Sequence, residues 1–133
     1  MEKKDFMNFK GLVPLELAYQ LEEIGMKMPE CPIGYAYLVD DIETKENLKR
    51  GWLQPTYASA FEFLSQILNI FVTVSVEEDI SNIQEKICFS TKALKVREDG
   101  YVLAKTEFKF FESWEDAANK GIEEGIKIAR NLI

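Results

Sequence analysis

The residues of this 133-residue chain that could carry chemistry are carboxylates, lysines and two cysteines, because the sequence contains no histidine. The lack of histidine excludes Ser-His-Asp and Cys-His catalysis and most transition-metal sites. Cys31 and Cys88 alone cannot complete a zinc site. The glycines are scattered and form no phosphate-binding loop. We therefore predict no catalytic residues, no metal and no cofactor, and favour a protein without enzymatic activity.

Two acidic clusters and the two cysteines are further candidates for metal binding or catalysis. The clusters are residues 40–41 and 77–79. Neither has the glycine-centred spacing of a calcium loop, so we interpret both as solvated turns. Cys31 has no visible neighbouring base to lower its thiol pKa, Cys88 is a predicted strand residue, and we expect both thiols to be reduced.

Five aromatic residues form a first candidate recognition surface. Trp52 lies in a polar segment and is the member best suited to contact a partner. The alternative is an ordinary core whose tyrosine hydroxyls reach water, which we favour because regularly spaced aromatics mostly pack. The surface consists of Tyr35, Tyr37, Trp52, Tyr57 and Phe63.

A second candidate surface is a basic face of the predicted sheet, where Glu107 is the one acid. Such a face could meet phosphate groups. The alternative, which we favour, is a solvated face whose lysines discourage edge pairing. A one-residue shift in strand register would reverse the assignment. The predicted cations are Lys86, Lys95, Arg97, Lys105 and Lys109.

Small residues on the last predicted helix form a third candidate. Ala118, Gly121 and Gly125 lie in the middle of its apolar arc. Glycine inside a helix costs about 1 kcal/mol relative to alanine, which a close approach to another backbone would offset. We favour tight packing on the sheet or on a neighbouring helix. The alternative is a homodimer contact.

Periodicity and turn signals predict the elements that position these residues. Helices are expected over residues 13–26 and 55–69 and after Ser113, which can cap the last one. Even-numbered residues 102–108 are predicted to face the core. Strands are predicted over residues 33–39, 70–76, 85–90, 93–98 and 101–110, with Asp99-Gly100 as a hairpin turn.

This order, α-β-α-β-β-β-α, predicts an α+β fold in a single domain over residues 1–133. We expect a mostly antiparallel sheet of four to five strands with about three helices on one face. The formal charge of −7 disfavours duplex DNA and anionic membranes as partners. No apolar run approaches the ~20 residues that span a bilayer, and no signal peptide is visible, so a cytoplasmic location is expected.

Several sequence elements occur together in a known group of proteins. They are residues 21–25 followed by Cys31, Tyr35-x-Tyr37, residues 114–117, and the most specific one, Pro-Thr-Tyr-x-x-Ala-Phe at 55–61. With these elements the chain resembles a group of small uncharacterised proteins carried by phages and prophages of Bacteroidetes. The group often has Trp at the position of Phe63, and its last helix usually lacks the two glycines. The resemblance implies a mobile-element setting and transfers no functional residues.

Three functions follow as hypotheses. The first is a non-catalytic accessory factor that binds a host or phage protein, with a homodimer as one form of that interaction. The second is a nucleic-acid-associated accessory protein that uses the basic face. The third is a small-ligand binder or enzyme that uses an aromatic pocket.

Overall fold

The computed structural model describes residues 11–29, 40–79 and 86–131. Within these residues the fold is α+β, with four helices and a three-stranded antiparallel sheet. The contacts divide the chain into two compact units, Met1–Tyr57 and Ala58–Ile133, and each is described by itself. The single domain remains a prediction. No helix in the described part of the chain is long and apolar enough to cross a membrane.

Helix α1 spans Leu15–Glu23 and has both ends signalled by the sequence. Pro14 is its N-cap residue, at the end of a helix where a missing N–H costs nothing. Gly25 follows with φ of +111°, the left-handed conformation that terminates helices. Leu17, Ala18 and Leu21 form its buried face. The strand predicted over residues 33–39 lies outside the described residues.

Helix α2 spans Ile42–Lys49, where only a polar loop with at most one helical turn was predicted. Asp41 caps it, accepting hydrogen bonds from the Thr44 backbone N–H at 2.9 Å and the Thr44 hydroxyl at 2.7 Å. These bonds hold the pKa of Asp41 below its ordinary value. Only Thr44, Asn47 and Leu48 of this helix are buried, so its apolar stripe is too narrow for a periodicity signal.

Helix α3 spans Tyr57–Leu68 and leads directly into the sheet. The turn between them is Asn69, whose φ of 54° lies in the left-handed region that asparagine tolerates. Strands β1 (Ile70–Asp79), β2 (Lys86–Val96) and β3 (Val102–Phe111) follow in sequence order, with β2 at the centre. The β2–β3 connection contains the predicted Asp99-Gly100 turn, with Gly100 at φ +92°.

Strand β2 corrects the predicted number of strands. The two strands predicted over residues 85–90 and 93–98 are one continuous strand that pairs with β1 without a break in register. Thr91 and Lys92, the two residues between the predicted strands, include no glycine, proline, asparagine, aspartate or serine to turn the chain. The described sheet therefore has three strands, not four to five.

The register assigns the side chains of the sheet to two faces. Pairing of Val72 with Ala93, and of Ala93 with Thr106, places these three residues on one face, which we call the helix face. Pairing of Thr73 with Lys92, and of Lys92 with Glu107, defines the opposite face, which we call the polar face.

Helix α4 spans Trp114–Asn131 and covers the helix face. Its N-terminus is capped as predicted, with the Asp116 backbone N–H donating to Ser113 Oγ at 3.1 Å. Ala117, Ile122 and Ile126 on its inner side are almost completely buried. The second unit thus has a core between one long helix and one face of the sheet.

Candidate functional site

Strand β3 exposes several large apolar side chains on the second unit. None of its residues is buried. Val102 is 54% exposed, Leu103 52% and Phe110 71%. Among the described residues β3 pairs with β2 on one side only, so its other backbone edge is unpaired. We call this edge, with the side chains of Val102–Phe111, the β3 edge.

Three charged residues alternate along the polar face of the β3 edge. Glu107 lies between Lys105 and Lys109, with carboxylate-to-ammonium distances of 3.8 Å and 3.6 Å. The lysine side chains are about half exposed, so these ion pairs contribute little to stability. Their order, basic-acidic-basic, is a pattern of charge that a paired strand would meet directly.

A bulge ends the regular pairing of β3 at Phe110. The β2–β3 register shifts between Phe89 and Thr91, which pair with Phe111 and Phe108. Phe110 has φ of +70°, a conformation that is strained for a bulky residue. Because bulges increase local twist and interrupt the ladder, Phe110 delimits the flat part of the edge.

The polar face contains a shallow depression of about 70 Å³. Ser90 Oγ donates to Glu77 Oε1 there at 3.3 Å. Cavities that bind small molecules usually measure about 300 Å³ or more, so this depression is too small for such a ligand. Its lining residues are Thr73, Ser75, Glu77, Ser90, Thr91, Lys92 and Glu107.

The predicted basic face is divided by the observed register. Lys95 lies on the helix face, opposite Ile70, where its ammonium donates to the backbone carbonyl of Leu68. Arg97 follows the end of β2 and pairs with Asp99 in the hairpin connection. Neither belongs to the polar face, because β2 is one strand and residues an odd number apart point to opposite faces.

The remaining predicted cations are on the polar face, together with one that was missed. Lys86, Lys105 and Lys109 lie there as predicted, with Glu107 among them. Lys92, directly opposite Glu107, belongs to the same face. A continuous alternation from residue 86 onward would have found Lys92 from the sequence.

Three of the five residues of the aromatic surface belong to the described part of the chain. Tyr35 and Tyr37 lie outside it, and Tyr57 is buried. Trp52 is partly buried, stacked on Tyr19 with ring centroids 5.1 Å apart, and its indole N–H donates to Glu22 Oε2 at 2.6 Å. Trp52 is therefore held on the first unit, which is the packing alternative considered for it. The last member, Phe63, is partly buried on α3.

A polar network that joins α1 to α2 surrounds this tryptophan and was not predicted. Tyr19 donates from its hydroxyl to Glu43 Oε1 at 2.7 Å and accepts from Asn47 Nδ2 at 2.7 Å. Arg50 donates to the Asn47 side-chain oxygen. Burial raises the pKa of Tyr19 above its ordinary value. Every polar group named here has a partner, so the network has the character of a structural contact and offers no free acid or base.

The small residues of α4 lie against the sheet. A Cβ atom added at Gly121 would lie 2.3 Å from Thr91 Oγ1 and 2.5 Å from Val72 Cγ1. Gly125 lies against Ile70 and Leu64 with more room, and Ala118 is fully buried. The glycines therefore face the inside of the second unit.

The described residues hold no group of His, Cys, Asp or Glu suited to bind a metal ion. Cys88 is a buried free thiol on β2, and Cys31 lies outside the described residues. Comparison with known proteins finds no match to any protein family, curated protein or solved structure. The β3 edge is therefore the candidate site, and its chemistry must be argued from its own residues.

Proposed function

We propose that this chain is a non-catalytic protein-interaction factor that binds an extended segment of its partner along the β3 edge. The observation that carries the proposal is a long strand that exposes Val102, Leu103 and Phe110 and that, among the described residues, has one unpaired edge. In strand addition, backbone hydrogen bonds supply affinity and alternate side chains supply specificity.

The composition of β3 supports a bound strand better than an unoccupied edge. Proteins usually protect an exposed edge with proline, lysines, a short strand, a β-bulge or inward-pointing charge. β3 has no proline and spans ten residues. The bulge at Phe110 and the side chains of Lys105 and Lys109 give some protection, but Glu107 lies between the lysines and offsets part of their charge. An exposed apolar strand of this kind is typical of a surface that a partner covers.

The partner class is also part of the proposal. The resemblance to phage and prophage proteins implies a mobile-element setting, in which an accessory factor would bind a host or phage protein. The lack of histidine and of a metal-binding group in the described residues supports a role in binding over catalysis.

Site-specific photo-crosslinking tests the proposal. A photoreactive amino acid is introduced at Phe110, which is 71% exposed, and separately at Ile67 of α3, a matched apolar control that is 68% exposed. In cells that express the protein we expect polypeptide adducts from position 110 and few from position 67. Equal yields at the two positions, or no adduct at position 110, would contradict the proposal.

Nucleic-acid binding is a second candidate function. It is favoured by the placement of Lys86, Lys92, Lys105 and Lys109 on one face of the sheet. It predicts salt-dependent binding of single-stranded DNA or RNA that weakens when Lys92 is replaced by Gln. Fluorescence anisotropy with labelled oligonucleotides measures this, and no binding at low salt would remove the candidate.

A further inference from the structure

We propose that the partner whose chemistry fits the β3 edge is a second copy of this chain, paired antiparallel about Thr106 so that the two sheets become one. The inference rests on the proposed function, because it names the partner of the same edge. Three features of β3 carry it: the symmetry of antiparallel pairing, the order of the charges, and the position of the bulge.

Symmetry limits the registers that two copies can adopt. Two identical antiparallel strands are related by a two-fold axis perpendicular to the sheet, and opposite residues point to the same side. Each residue of the polar face must therefore meet a residue of the polar face of the other copy. The axis lies midway between the two copies of one residue of β3, and we name each register by that residue. The choice of the residue decides which charges meet.

An axis through Thr106 makes the charges complementary. Lys105 then lies opposite Glu107 of the second copy, and Glu107 lies opposite Lys105 of the second copy, so the favourable contact occurs twice. On the helix face, Ala104 lies opposite Phe108, which places a small side chain beside a large one. The two irregularities of β3, at residues 102–103 and at Phe110, lie outside this central part of the ladder.

The neighbouring registers are less favourable. An axis through Lys105 opposes two lysines, and an axis through Glu107 opposes two glutamates. An axis through Phe108 again pairs Glu107 with Lys109, but it moves the bulge at Phe110 into the interior of both ladders. The register about Thr106 is the one that combines opposite charges with a ladder centred on residues 104–108, the part of β3 that pairs regularly with β2.

Charge reversal tests this register. Sedimentation velocity over a range of concentrations is expected to show a monomer–dimer equilibrium for the natural chain. The variants K105E and E107K each place like charges opposite one another twice, and each should weaken dimerisation by about tenfold or more. Lys27→Glu makes the same charge change at an exposed position outside the strands and should leave the dimer unchanged.

Mixing the two variants provides the decisive measurement. In an equimolar mixture, positions 105 and 107 carry acids on one chain and lysines on the other, so a heterodimer regains both attractive contacts. We expect mixing to restore the dimer that neither variant forms alone. Circular dichroism of each variant separates loss of pairing from loss of folding, and restoration on mixing could not come from misfolded chains.

Three results would overturn the inference. They are a natural chain that stays monomeric at every concentration, a dimer that K105E leaves intact, and a mixture that does not regain dimer. An intact K105E dimer with a dissociated E107K dimer would indicate the register about Phe108. A monomeric chain that still gives adducts to another polypeptide at position 110 would remove this inference and leave the proposed function standing, whereas the absence of any adduct there would remove the proposed function.

Discussion

Replacing Gly121 with alanine is the sharpest test of how α4 packs on the sheet. The new Cβ would lie 2.3 Å from Thr91 Oγ1 and 2.5 Å from Val72 Cγ1, far inside van der Waals contact. Thr91 and Val72 are β-branched residues with restricted side-chain rotation, in adjacent strands. Thr91 Oγ1 also donates to the Thr73 carbonyl at 3.1 Å, so it cannot move aside without losing that bond.

The expected magnitude follows from three terms. Alanine gains about 1 kcal/mol of helix propensity over glycine. Overpacking a well-filled core costs about 1–3 kcal/mol. Loss of the Thr91 hydrogen bond costs about 1 kcal/mol more. The Gly121→Ala substitution should therefore lower the free energy of unfolding by about 1–3 kcal/mol.

Gly125 provides the matched control on the same helix. A Cβ at Gly125 would lie 3.4 Å from Ile70 Cγ2, Leu64 Cδ1 and Val72 Cγ2, which is ordinary contact. The Gly125→Ala substitution should therefore keep most of the propensity gain and raise stability by up to about 1 kcal/mol. Urea unfolding followed by far-ultraviolet circular dichroism measures both changes. If Gly121→Ala is as stable as the natural chain, or if both variants shift stability equally, the packing argument is wrong.

Three further predictions concern single side chains. Thr106→Val should raise the free energy of unfolding by about 1 kcal/mol, because the Thr106 hydroxyl is buried without a partner among the described residues. Thr91→Val removes the hydrogen bond to the Thr73 carbonyl and should lower the free energy of unfolding by a similar amount in the same urea assay. Phe110→Gly should raise the free energy of unfolding by about 1 kcal/mol, because glycine adopts the positive φ without strain. Unchanged stability would contradict strain at the bulge. Because its pKa is depressed in the folded state, Asp41 stabilises the fold at neutral pH and loses that contribution as the pH falls below about 4. Asparagine at this position caps the helix without titrating. The Asp41→Asn variant should therefore unfold less steeply than the natural chain in an acid titration followed by circular dichroism.

Local chemistry explains which helix ends were predictable. Pro14, Gly25 and Ser113 act within one turn of the helix they bound, and Ser113 caps α4 as predicted. The α+β class and the antiparallel hairpin at Asp99-Gly100 follow from signals of the same short range. Helix α2 was missed because its stripe is narrow, although Asp41 was an available capping signal.

The error in β2 has a different origin. Its sequence was divided in two, which allowed Lys86 and Lys95 to be assigned to the same face. Once the strand is continuous, the two positions differ by an odd number and must point to opposite faces. The two residues between the predicted strands include no turn former, which is enough to indicate one continuous strand from the sequence alone. The continuity of β2 therefore removes Lys95 from the candidate basic face.

The exposure of β3 could not be predicted in the same way. Alternation placed Val102 and Phe108 toward the core. The register puts Ala104, Thr106 and Phe108 on the helix face, but an irregularity between Lys95 and Val96 pairs Val102 with Val96 of the opposite face. Phe108 is nevertheless exposed, because coverage depends on how far α4 extends over the third strand, and no local signal specifies that. Phe110 is a further case, since its conformation results from the bulge and not from its own preferences.

The composition of β3 is therefore poorly explained by the stability of the unit that contains it. A strand at the margin of a core would satisfy its pairing with β2 equally well if Leu103 and Phe110 were polar, and it would then be less prone to aggregate. Apolar residues at positions that bury little in the isolated chain suggest that the relevant burial takes place in a complex. The alternating charges on the polar face add the element that non-specific aggregation lacks, because they discriminate between registers. The proposed interface would account for both properties of this strand.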